Sequence, residues 1–309
     1  MPLHGPALVT GAAGFIGGTL VHRLVAEGIE VTGFDRHPPA RPLPEAARHI
    51  EGDIRDPASV RAAIEAARPE VVYHLAAQTS VSISMREPRL DIESNILGTL
   101  NVAEACIEGG VRRLVAYSSG GAIFGEPASL PVADDDPKSP QSVYGVSKLA
   151  GDLLLPLLVE GSDLEVSVVR PGNVYGPWQD PHGEAGVIAI FAMRMLANQD
   201  ATIYGDGSQF RDYVFVDDVV EATVRAATRT PAACIVATGT GTSTREIFEA
   251  VARAVGYERP PVMAPERPGD IHGIALDASR AREAWGWAPE TSFEDGVQRT
   301  VEWFRTRPA

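Results

Sequence analysis

The sequence predicts an α/β fold, in which a doubly wound parallel β-sheet carries helices on both faces and a smaller, mostly helical lobe follows towards the C-terminus. Short apolar runs of strand type alternate with helical patterns as far as residue 237, as parallel sheets with crossover helices require. Beyond residue 170 the chain becomes rich in turn residues, and its last seventy residues carry mainly helical patterns. A length of 309 residues suits two domains, or one large domain with a smaller lobe.

The N-terminal segment predicts a strand, a glycine turn, a helix, a second strand and an acid. An apolar run at 6–10 leads into Gly11, Gly14 and Gly17, which open a helical pattern, and the run at 29–34 ends at Asp35. Such glycines allow a tight turn and a close approach of the backbone to a pyrophosphate at the helix N-terminus. The unit therefore predicts a Rossmann-type dinucleotide-binding domain.

The acid at the end of the second strand bears on the choice of cofactor. Asp35 follows Gly17 by eighteen residues, near the spacing of an acid that binds the adenosine ribose hydroxyls. A carboxylate there would repel a 2′-phosphate, so the sequence favours NAD over NADP. Arg36, directly after it, weakens that preference slightly.

The later elements follow the same alternation. Strands are predicted near 71–75, 114–118, 166–170 and 234–237, with helices near 57–68, 92–109, 142–159 and 218–229. The runs 201–204 and 210–215 flank Gly205-Asp206-Gly207, which predicts a β-hairpin. Further helices are predicted near 187–198, 243–256, 278–285 and 293–305. The acids Asp134-Asp135-Asp136, bracketed by prolines, predict a solvated loop.

Composition restricts the partners of the chain. A formal net charge of −14 argues against nucleic acid, and the seven histidines have no spacing typical of metal ligands, so we expect no metal site. Two cysteines, Cys106 and Cys234, indicate a reducing compartment. The N-terminus lacks a signal-peptide pattern, and the apolar stretch 153–159 is too short to cross a membrane. We therefore expect a cytoplasmic protein without a membrane partner.

One tyrosine–lysine pair stands out because the chain has only two lysines, Lys138 and Lys148, against twenty-five arginines. Lys148 follows Tyr144 by four residues, so in a helix the two side chains share one face. A nearby ammonium lowers the pKa of a phenol and so stabilises a tyrosinate. The pair alone could equally belong to a solvated helix surface.

Taken with the glycine turn, these motifs resemble the extended short-chain dehydrogenase/reductase family and, within it, the UDP-galactose 4-epimerase group. The resemblance extends over nearly the whole chain. Its motifs are Gly11-x-x-Gly14-x-x-Gly17, His74-Leu75-Ala76-Ala77, Asn95, Ser118-Ser119, Tyr144-x-x-x-Lys148, Asn173-Val174-Tyr175-Gly176-Pro177, Arg211-Asp212-Tyr213-Val214 and Arg267-Pro268-Gly269-Asp270.

The resemblance implies two binding sites on two domains. Residues 1–172 with about 214–240 would bind NAD, and residues 173–213 with 241–309 would form the lobe that binds a UDP-sugar substrate. The residues implied for NAD are Gly11, Gly14, Phe15, Ile16, Gly17, Asp35, Arg36, Asp53, Ile54, Leu75, Ala76, Ala77, Asn95, Ser118, Tyr144 and Lys148. The residues implied for the substrate are Ser119, Asn173, Val187, Tyr204, Arg211, Arg267 and Asp270.

The substrate motifs agree with the charge of the chain. Asn173, Arg211 and Arg267 would hold the diphosphate, and Asp270 the uridine ribose. Two arginines offer charge-assisted, multidentate donors to a diphosphate that the negative chain would otherwise repel.

The implied reaction inverts C4 of a UDP-hexose through a transient 4-keto sugar, with Tyr144, Lys148 and Ser119 as catalytic residues. The usual catalytic serine or threonine of the family aligns most directly with Gly120, so Ser119 serves only if the strand bends to bring it in. Relatives that dehydrate or decarboxylate need acids where this chain has Gly121 and Ala122, which disfavours a 4,6-dehydratase or a decarboxylase.

Several alternatives stay open. UDP-glucuronate 4-epimerase, 5,6-dehydratase and 4-ketoreductase would use the same fold, and a non-catalytic NAD-sensing regulator belongs to another class. Ile274 resembles the family's sugar-pocket gate and is smaller than a tyrosine, which suggests that UDP-N-acetylhexosamines are tolerated. Pro156, among leucines in the helix at 142–159, predicts a kink or stop there. The apolar surroundings suit a domain core or, as the family implies and as we favour, a homodimer contact.

Overall fold

A seven-stranded parallel sheet forms the centre of the molecule, whose computed structural model describes residues 5–39, 41–182, 186–266 and 271–306. The strands are β1 (Ala7–Thr10), β2 (Val31–Asp35), β3 (Arg48–Glu51), β4 (Val71–His74), β5 (Arg113–Tyr117), β6 (Glu165–Pro171), β7 (Asn173–Tyr175), β8 (Thr202–Tyr204), β9 (Phe210–Phe215), β10 (Ala233–Val236), β11 (Gly241–Ser243) and β12 (Val262–Ala264). The helices are α1 (Phe15–Ala26), α2 (Pro57–Ala67), α3 (Val81–Arg86), α4 (Pro88–Ile92), α5 (Gly98–Glu108), α6 (Val143–Leu158), α7 (Val187–Leu196), α8 (Val216–Thr228), α9 (Thr244–Val255), α10 (Ser279–Trp285) and α11 (Phe293–Arg305), with a π-helical turn at Glu93–Leu97 between α4 and α5.

The strand order of the large sheet, β10-β6-β5-β4-β1-β2-β3, confirms the predicted doubly wound fold. All six strand pairings within this sheet are parallel. From β1 the chain first builds outward through β2 and β3, then crosses back to place β4 on the other side of β1. The carboxyl ends of β1 and β4 therefore form the switch point at which such sheets bind ligands.

Apolar layers cover both faces of the large sheet. On one face α1 buries Leu20 and Leu24, together with residues of α8 such as Val219. On the other face α2 and α5 contribute Ile64 and Val102. Their continuous burial explains why the central strands are apolar runs rather than alternating patterns.

A smaller lobe follows the sheet. In this lobe the prediction of a hairpin from residues 201–204 and 210–215 is wrong. β8 pairs in parallel with β12, whereas β9 lies between β7 and β11. The glycines at 205–207 do form a turn: the Gly205 N–H donates to the Ala264 carbonyl, and the Asp206 carboxylate accepts from the Ser208 N–H and hydroxyl. The turn carries the chain from one small sheet to the other instead of folding a strand back on its neighbour.

The loop of Asp134, Asp135 and Asp136 also differs from the prediction of a solvated loop, because Asp134 is buried. Its carboxylate accepts from the Ile235 N–H at 3.1 Å and from Arg170 Nη1 at 2.7 Å. Arg170 Nε in turn donates to Asp152 on α6 at 2.8 Å. These buried charges join α6 to β6 and β10, and only Asp135, exposed and paired with Arg280, behaves as predicted.

Helix α6 begins at a Ser142 cap, whose hydroxyl accepts from the Gly145 N–H at 3.1 Å. It continues through Pro156 and ends two residues later, so the proline lies in the last turn, near the predicted stop. Across the four described segments of the chain, no helix combines the length and apolar character needed to cross a membrane. Nor do those segments bring three or more acidic, histidine or cysteine side chains together as metal ligands.

Candidate active site

The glycine turn, residues 11–17, lies at the switch point at the carboxyl end of β1. Gly11 has φ +74°, which favours glycine, and a Cβ there would lie 2.6 Å from the Ala76 nitrogen. A Cβ at Gly17 would lie 2.1 Å from the Gly11 carbonyl oxygen. Gly14 is the N-cap residue of helix α1, which receives no cap from any side chain in the described segments, so its first N–H groups face the turn, where a phosphate fits.

Asp35 is held beside this turn at the end of β2. Its carboxylate accepts from the Ala13 N–H at 3.0 Å and from the His37 N–H at 3.1 Å. Phe15 and Ile16 follow in the first turn of α1. An acid fixed next to an uncapped helix terminus matches the ribose and pyrophosphate of a dinucleotide.

Two further segments lie near this site: 53–54 follows Gly52, whose N–H donates to the Asp35 carbonyl at 3.0 Å, and 75–77 packs on Gly11. Ile54 is buried against Gly98, and Asp53 forms an ion pair with Arg55 at 2.6 Å, which lowers the pKa of the Asp53 carboxyl. Arg36 is exposed beyond Asp35. In the segment of Leu75, Ala76 and Ala77 after β4, the Ala76 N–H donates to Thr10 Oγ1 at 3.2 Å.

The side chains of Asn95 and Ser118 bond within the protein. The Asn95 amide oxygen accepts from the Gln78 N–H at 2.8 Å, and its nitrogen donates to the Gln78 carbonyl, Asp91 and Ser147. Ser118 Oγ donates to the Lys148 carbonyl at 3.4 Å. Both residues therefore act on segments that border the site, and direct contact with a cofactor stays a prediction.

Tyr144 lies in the first turn of α6, where its N–H donates to Ser84 Oγ at 3.1 Å. The Ser119 side chain is the hydrogen-bonding group that acts on its phenol. Burial raises the pKa of Tyr144 to about 12, and the bond with Ser119 acts in the opposite direction. With protein groups alone, Tyr144 is a neutral phenol at neutral pH.

Lys148 lies one helical turn further on, with Nζ 6.0 Å from the centre of the Tyr144 ring. Nζ donates to the Tyr117 carbonyl at 3.0 Å. Burial lowers the pKa of Lys148 to about 8, against the opposing charges of Asp152 and Asp91. The spacing brought phenol and ammonium to one helix face, but burial is the largest influence on the pKa of Tyr144 and keeps it raised.

The choice between Ser119 and Gly120 depends on the backbone after β5. A Cβ at Gly120 would lie 2.9 Å from the Arg170 carbonyl oxygen and 3.0 Å from that of Pro171, so position 120 faces β6 and has no room for a side chain. Position 119 consequently faces Tyr144. At Gly121 the nearest atom to an added Cβ would be Asn173 Oδ1, at 3.5 Å.

The remaining substrate candidates lie in the lobe. Asn173 on β7 is in register with Tyr213 on β9, two residues from Arg211, and Arg211 Nη1 donates to the Phe210 carbonyl at 2.8 Å. Val187 opens α7, and Tyr204 is 41% exposed on β8. Arg267 and Asp270 lie outside the described residues.

The predicted gate residue, Ile274, is buried in an apolar cluster with Ile123 and Leu276, so its size gives no support for a wider sugar pocket.

Sequence reasoning missed two supports of this site. Ser84, which holds the Tyr144 backbone, lies in the unpredicted helix α3, although the preceding Ser80 caps it in the usual way. Asp212 is buried beside Arg211 and accepts from the N–H groups of Gly239 and Leu276. Its place within the Arg-Asp-Tyr motif was visible, but its partners are remote in sequence.

Known proteins resemble this chain over nearly its whole length. The model of the NAD dependent epimerase/dehydratase family matches residues 7–236. A UDP-glucose 4-epimerase of Mycolicibacterium smegmatis is 45% identical over 311 residues, covering 97% of this chain and 98% of that protein. The structure of the Thermotoga maritima UDP-glucose 4-epimerase with UDP-glucose superposes with a TM-score of 0.94 at 40% identity, covering 97% of this chain and 98% of that one. The structure of the Thermus thermophilus UDP-glucose 4-epimerase with NAD superposes with a TM-score of 0.92 at 42% identity, covering 97% of this chain and 99% of that one.

Proposed function

The chain belongs to the NAD dependent epimerase/dehydratase family, and from that premise we propose that it is an NAD-dependent isomerase that interconverts UDP-glucose and UDP-galactose at C4. The observation that carries the proposal is the placement of the Tyr144 phenol, with Lys148 one helical turn further on and Ser119 acting on it, at the same sheet edge as the glycine turn. An acid–base phenol next to a dinucleotide site suits the oxidation and reduction of a sugar hydroxyl.

The residues around the switch point fit NAD. The uncapped start of α1 would hold the pyrophosphate, Asp35 the adenosine ribose hydroxyls, and Lys148 the nicotinamide ribose. Bound NAD would supply the hydride acceptor and donor that inversion at C4 requires, together with the positive charge of its nicotinamide ring. We propose that residues 1–172 with about 214–240 form this cofactor domain, and residues 173–213 with 241–309 the nucleotide-sugar lobe.

Tyr144 would exchange the proton of the sugar 4-hydroxyl. Because burial holds its phenol protonated, proton uptake needs added positive charge, and the Lys148 ammonium is the protein's contribution. Ser119 would orient the hydroxyl through its bond to Tyr144. The transient 4-keto sugar would turn over while Asn173 and Arg211 keep the diphosphate in place.

The neighbouring residues argue against elimination of water. Gly121 and Ala122 follow Ser119 where a dehydratase needs an acid and a carboxylate, and neither side chain can transfer a proton. The distinct substrates that the fold could accept, UDP-glucuronate and UDP-N-acetylhexosamines, remain candidates for the same C4 chemistry.

The test is to incubate the purified protein, without added cofactor, with UDP-glucose, UDP-N-acetylglucosamine and UDP-glucuronate in turn. UDP-glucose should give a second peak of unchanged mass, since a redox-neutral cycle with resident NAD needs no supplied cofactor. Chromatography with mass detection resolves the products, and the Tyr144→Phe protein is the control. An isomer from UDP-glucuronate alone, a product lighter by one water, or turnover only with added NAD(P)H would each contradict the proposed reaction.

We also propose that the protein is a homodimer joined through α6. Val146, Leu153 and Leu157 share one face of this helix and are 51%, 62% and 68% exposed. Leu97, on the π-helical turn packed against α6, is also exposed. Such an apolar stripe beside an adjoining helix is suited to a two-fold helix bundle.

Replacing Leu153 and Leu157 together by glutamate should convert the dimer to monomer, because each leucine contributes about 1.5–3 kcal/mol when fully buried. Sedimentation would show the mass falling from twice to once 32.9 kDa. The matched control, Val262→Glu with Met263→Glu on exposed β12, should leave the mass unchanged. A monomeric wild type, or a double variant that stays dimeric, would reject this interface.

A further inference from the structure

His74 is a buried histidine that the proposed reaction does not use. It ends β4, next to the segment 75–77, and both of its ring nitrogens are bonded: Nδ1 with Thr10 Oγ1 at 2.8 Å and Nε2 with Thr99 Oγ1 at 3.1 Å. The imidazole therefore joins β1 to α5 behind the switch point.

The hydrogen bonds of the two threonines fix their direction. Each hydroxyl has one proton, and that of Thr99 goes to the Asn95 carbonyl at 2.7 Å, so Thr99 Oγ1 must accept from His74 Nε2–H. Thr10 Oγ1 accepts from the Ala76 N–H and gives its own proton to His74 Nδ1. One directed chain thus runs from the Ala76 N–H through Thr10, His74 and Thr99 to the Asn95 carbonyl.

Only a neutral imidazole with its proton on Nε2 completes this chain. An imidazolium would set Nδ1–H against the Thr10 proton. Burial lowers the pKa of His74 to about 3, and the positive charge of Lys148 acts in the same direction. The neutral form is therefore kept across the working range of pH.

A second set of hydrogen bonds, from the Asn95 side chain, also fixes this segment. The Asn95 amide bonds both the N–H and the carbonyl of Gln78, at 2.8 and 2.9 Å. Ala76 is thus held through Thr10, Gln78 through Asn95, and His74 connects the two. This segment packs closely on the glycine turn, since a Cβ at Gly11 would lie only 2.6 Å from the Ala76 nitrogen.

We propose that His74, as the neutral Nε2–H tautomer, is a positioning residue that fixes the backbone of residues 75–78 against the glycine turn. The inference rests on the proposed function in one respect: this backbone is taken to line the NAD site. The tautomer itself is independent of any reaction.

The first experiment reads the tautomer directly by NMR of protein with ¹⁵N-labelled imidazoles, His74 being assigned by the signal lost in His74→Gln. A neutral ring protonated at Nε2 is expected throughout pH 5–8, with or without UDP-glucose. A protonated Nδ1, or an imidazolium in that range, would overturn the proposal even if the protein proves to be an active epimerase.

The second experiment separates the effects of the two hydrogen bonds of the His74 ring, with Thr10 and with Thr99. In His74→Asn the amide oxygen can replace Nδ1 and keep the Thr10 bond, whereas in His74→Gln the amide nitrogen can replace Nε2 and keep the Thr99 bond. His74→Phe loses both bonds and leaves the buried Thr10 hydroxyl proton without its acceptor, so NAD should be released at least about tenfold more readily. Because Thr10 contacts Ala76 directly, His74→Asn should retain NAD better than His74→Gln.

NAD affinity is measured by reconstituting apoprotein, and the thermal midpoint is followed to detect unfolding. His49→Gln, on exposed β3, is the matched control and should behave as wild type. If the folded His74→Phe protein binds NAD as wild type does, or if the Asn and Gln variants do not differ, His74 has no positioning role. Failure to epimerise any UDP-sugar would instead contradict only the proposed reaction.

Discussion

Replacement of Tyr144 by phenylalanine is expected to lower kcat for UDP-glucose epimerisation by about 10²–10⁴-fold, the usual contribution of a general acid–base. The substitution removes the phenol oxygen that contacts Ser119, while the ring and the backbone bond to Ser84 can stay in place. Bound NAD and the thermal midpoint should therefore remain near wild type. Initial rates from product chromatography, with NAD measured on the same sample, test this directly.

A phenol elsewhere supplies the control. Tyr257 donates to the Gln199 carbonyl at 2.9 Å on an exposed surface, so Tyr257→Phe should keep full activity. A Tyr144→Phe enzyme with kcat within threefold of wild type would assign the proton transfer to another group.

The kcat of the Ser119→Ala enzyme should lie between those of the wild type and of Tyr144→Phe. The bond from Ser119 opposes the rise of the Tyr144 pKa, so its loss raises that pKa further. A base of higher pKa loses its proton only at higher pH, and the rising limb of the kcat–pH profile should move to the alkaline side. An unchanged profile would exclude this electrostatic role for Ser119.

Gly17→Ala is expected to abolish stable NAD binding. An added Cβ would lie 2.1 Å from the Gly11 carbonyl oxygen and 2.8 Å from the Gly11 carbonyl carbon, and both are backbone atoms that can move only if the turn or the start of α1 moves. Overpacking of this kind costs about 1–3 kcal/mol, which weakens NAD binding by about 5- to 150-fold if the cost falls on the NAD-bound turn. We expect NAD content after gel filtration to fall to near zero and the thermal midpoint to drop.

The next residue provides the comparison. At Gly18 the nearest atom, the Ala12 carbonyl oxygen, is 3.4 Å from an added Cβ. Gly18→Ala should therefore keep its NAD, and the higher helix propensity of alanine, about 1 kcal/mol, offsets small adjustments. Equal NAD content in the two variants would mean that close packing of Gly17 on the turn does not govern the cofactor site.

Local sequence was sufficient for the features whose partners are near in the chain. The glycine turn, the acid at Asp35 and the Tyr144–Lys148 spacing each depend on one strand, one turn or one helix. The alternating pattern likewise predicted the parallel sheet, because strands buried on both faces must be apolar throughout.

Features decided by distant partners were predicted less well. Strand β3 was not predicted, because three of its four residues, Arg48, His49 and Glu51, are exposed and only pairing with β2 makes it a strand. Asp134 was placed in solvent because its partners, Arg170 and Ile235, are far away in sequence. The side chain that faces Tyr144 could be chosen only once the contact of Gly120 with β6 was known.

The return of β10 to the large sheet has a consequence for folding. β10 pairs with β6 in the register Ala233↔Val168, after the chain has built β7, α7, β8, β9 and α8. The large sheet cannot gain β10, one of its two edge strands, until the intervening segment has folded, which slows folding and couples both parts of the chain into one cooperative unit. A fragment ending before Ala233 would leave β6 as an open edge, available to pair with another chain. The segment that returns after α8 thus also protects β6, by pairing with it, from association with another chain.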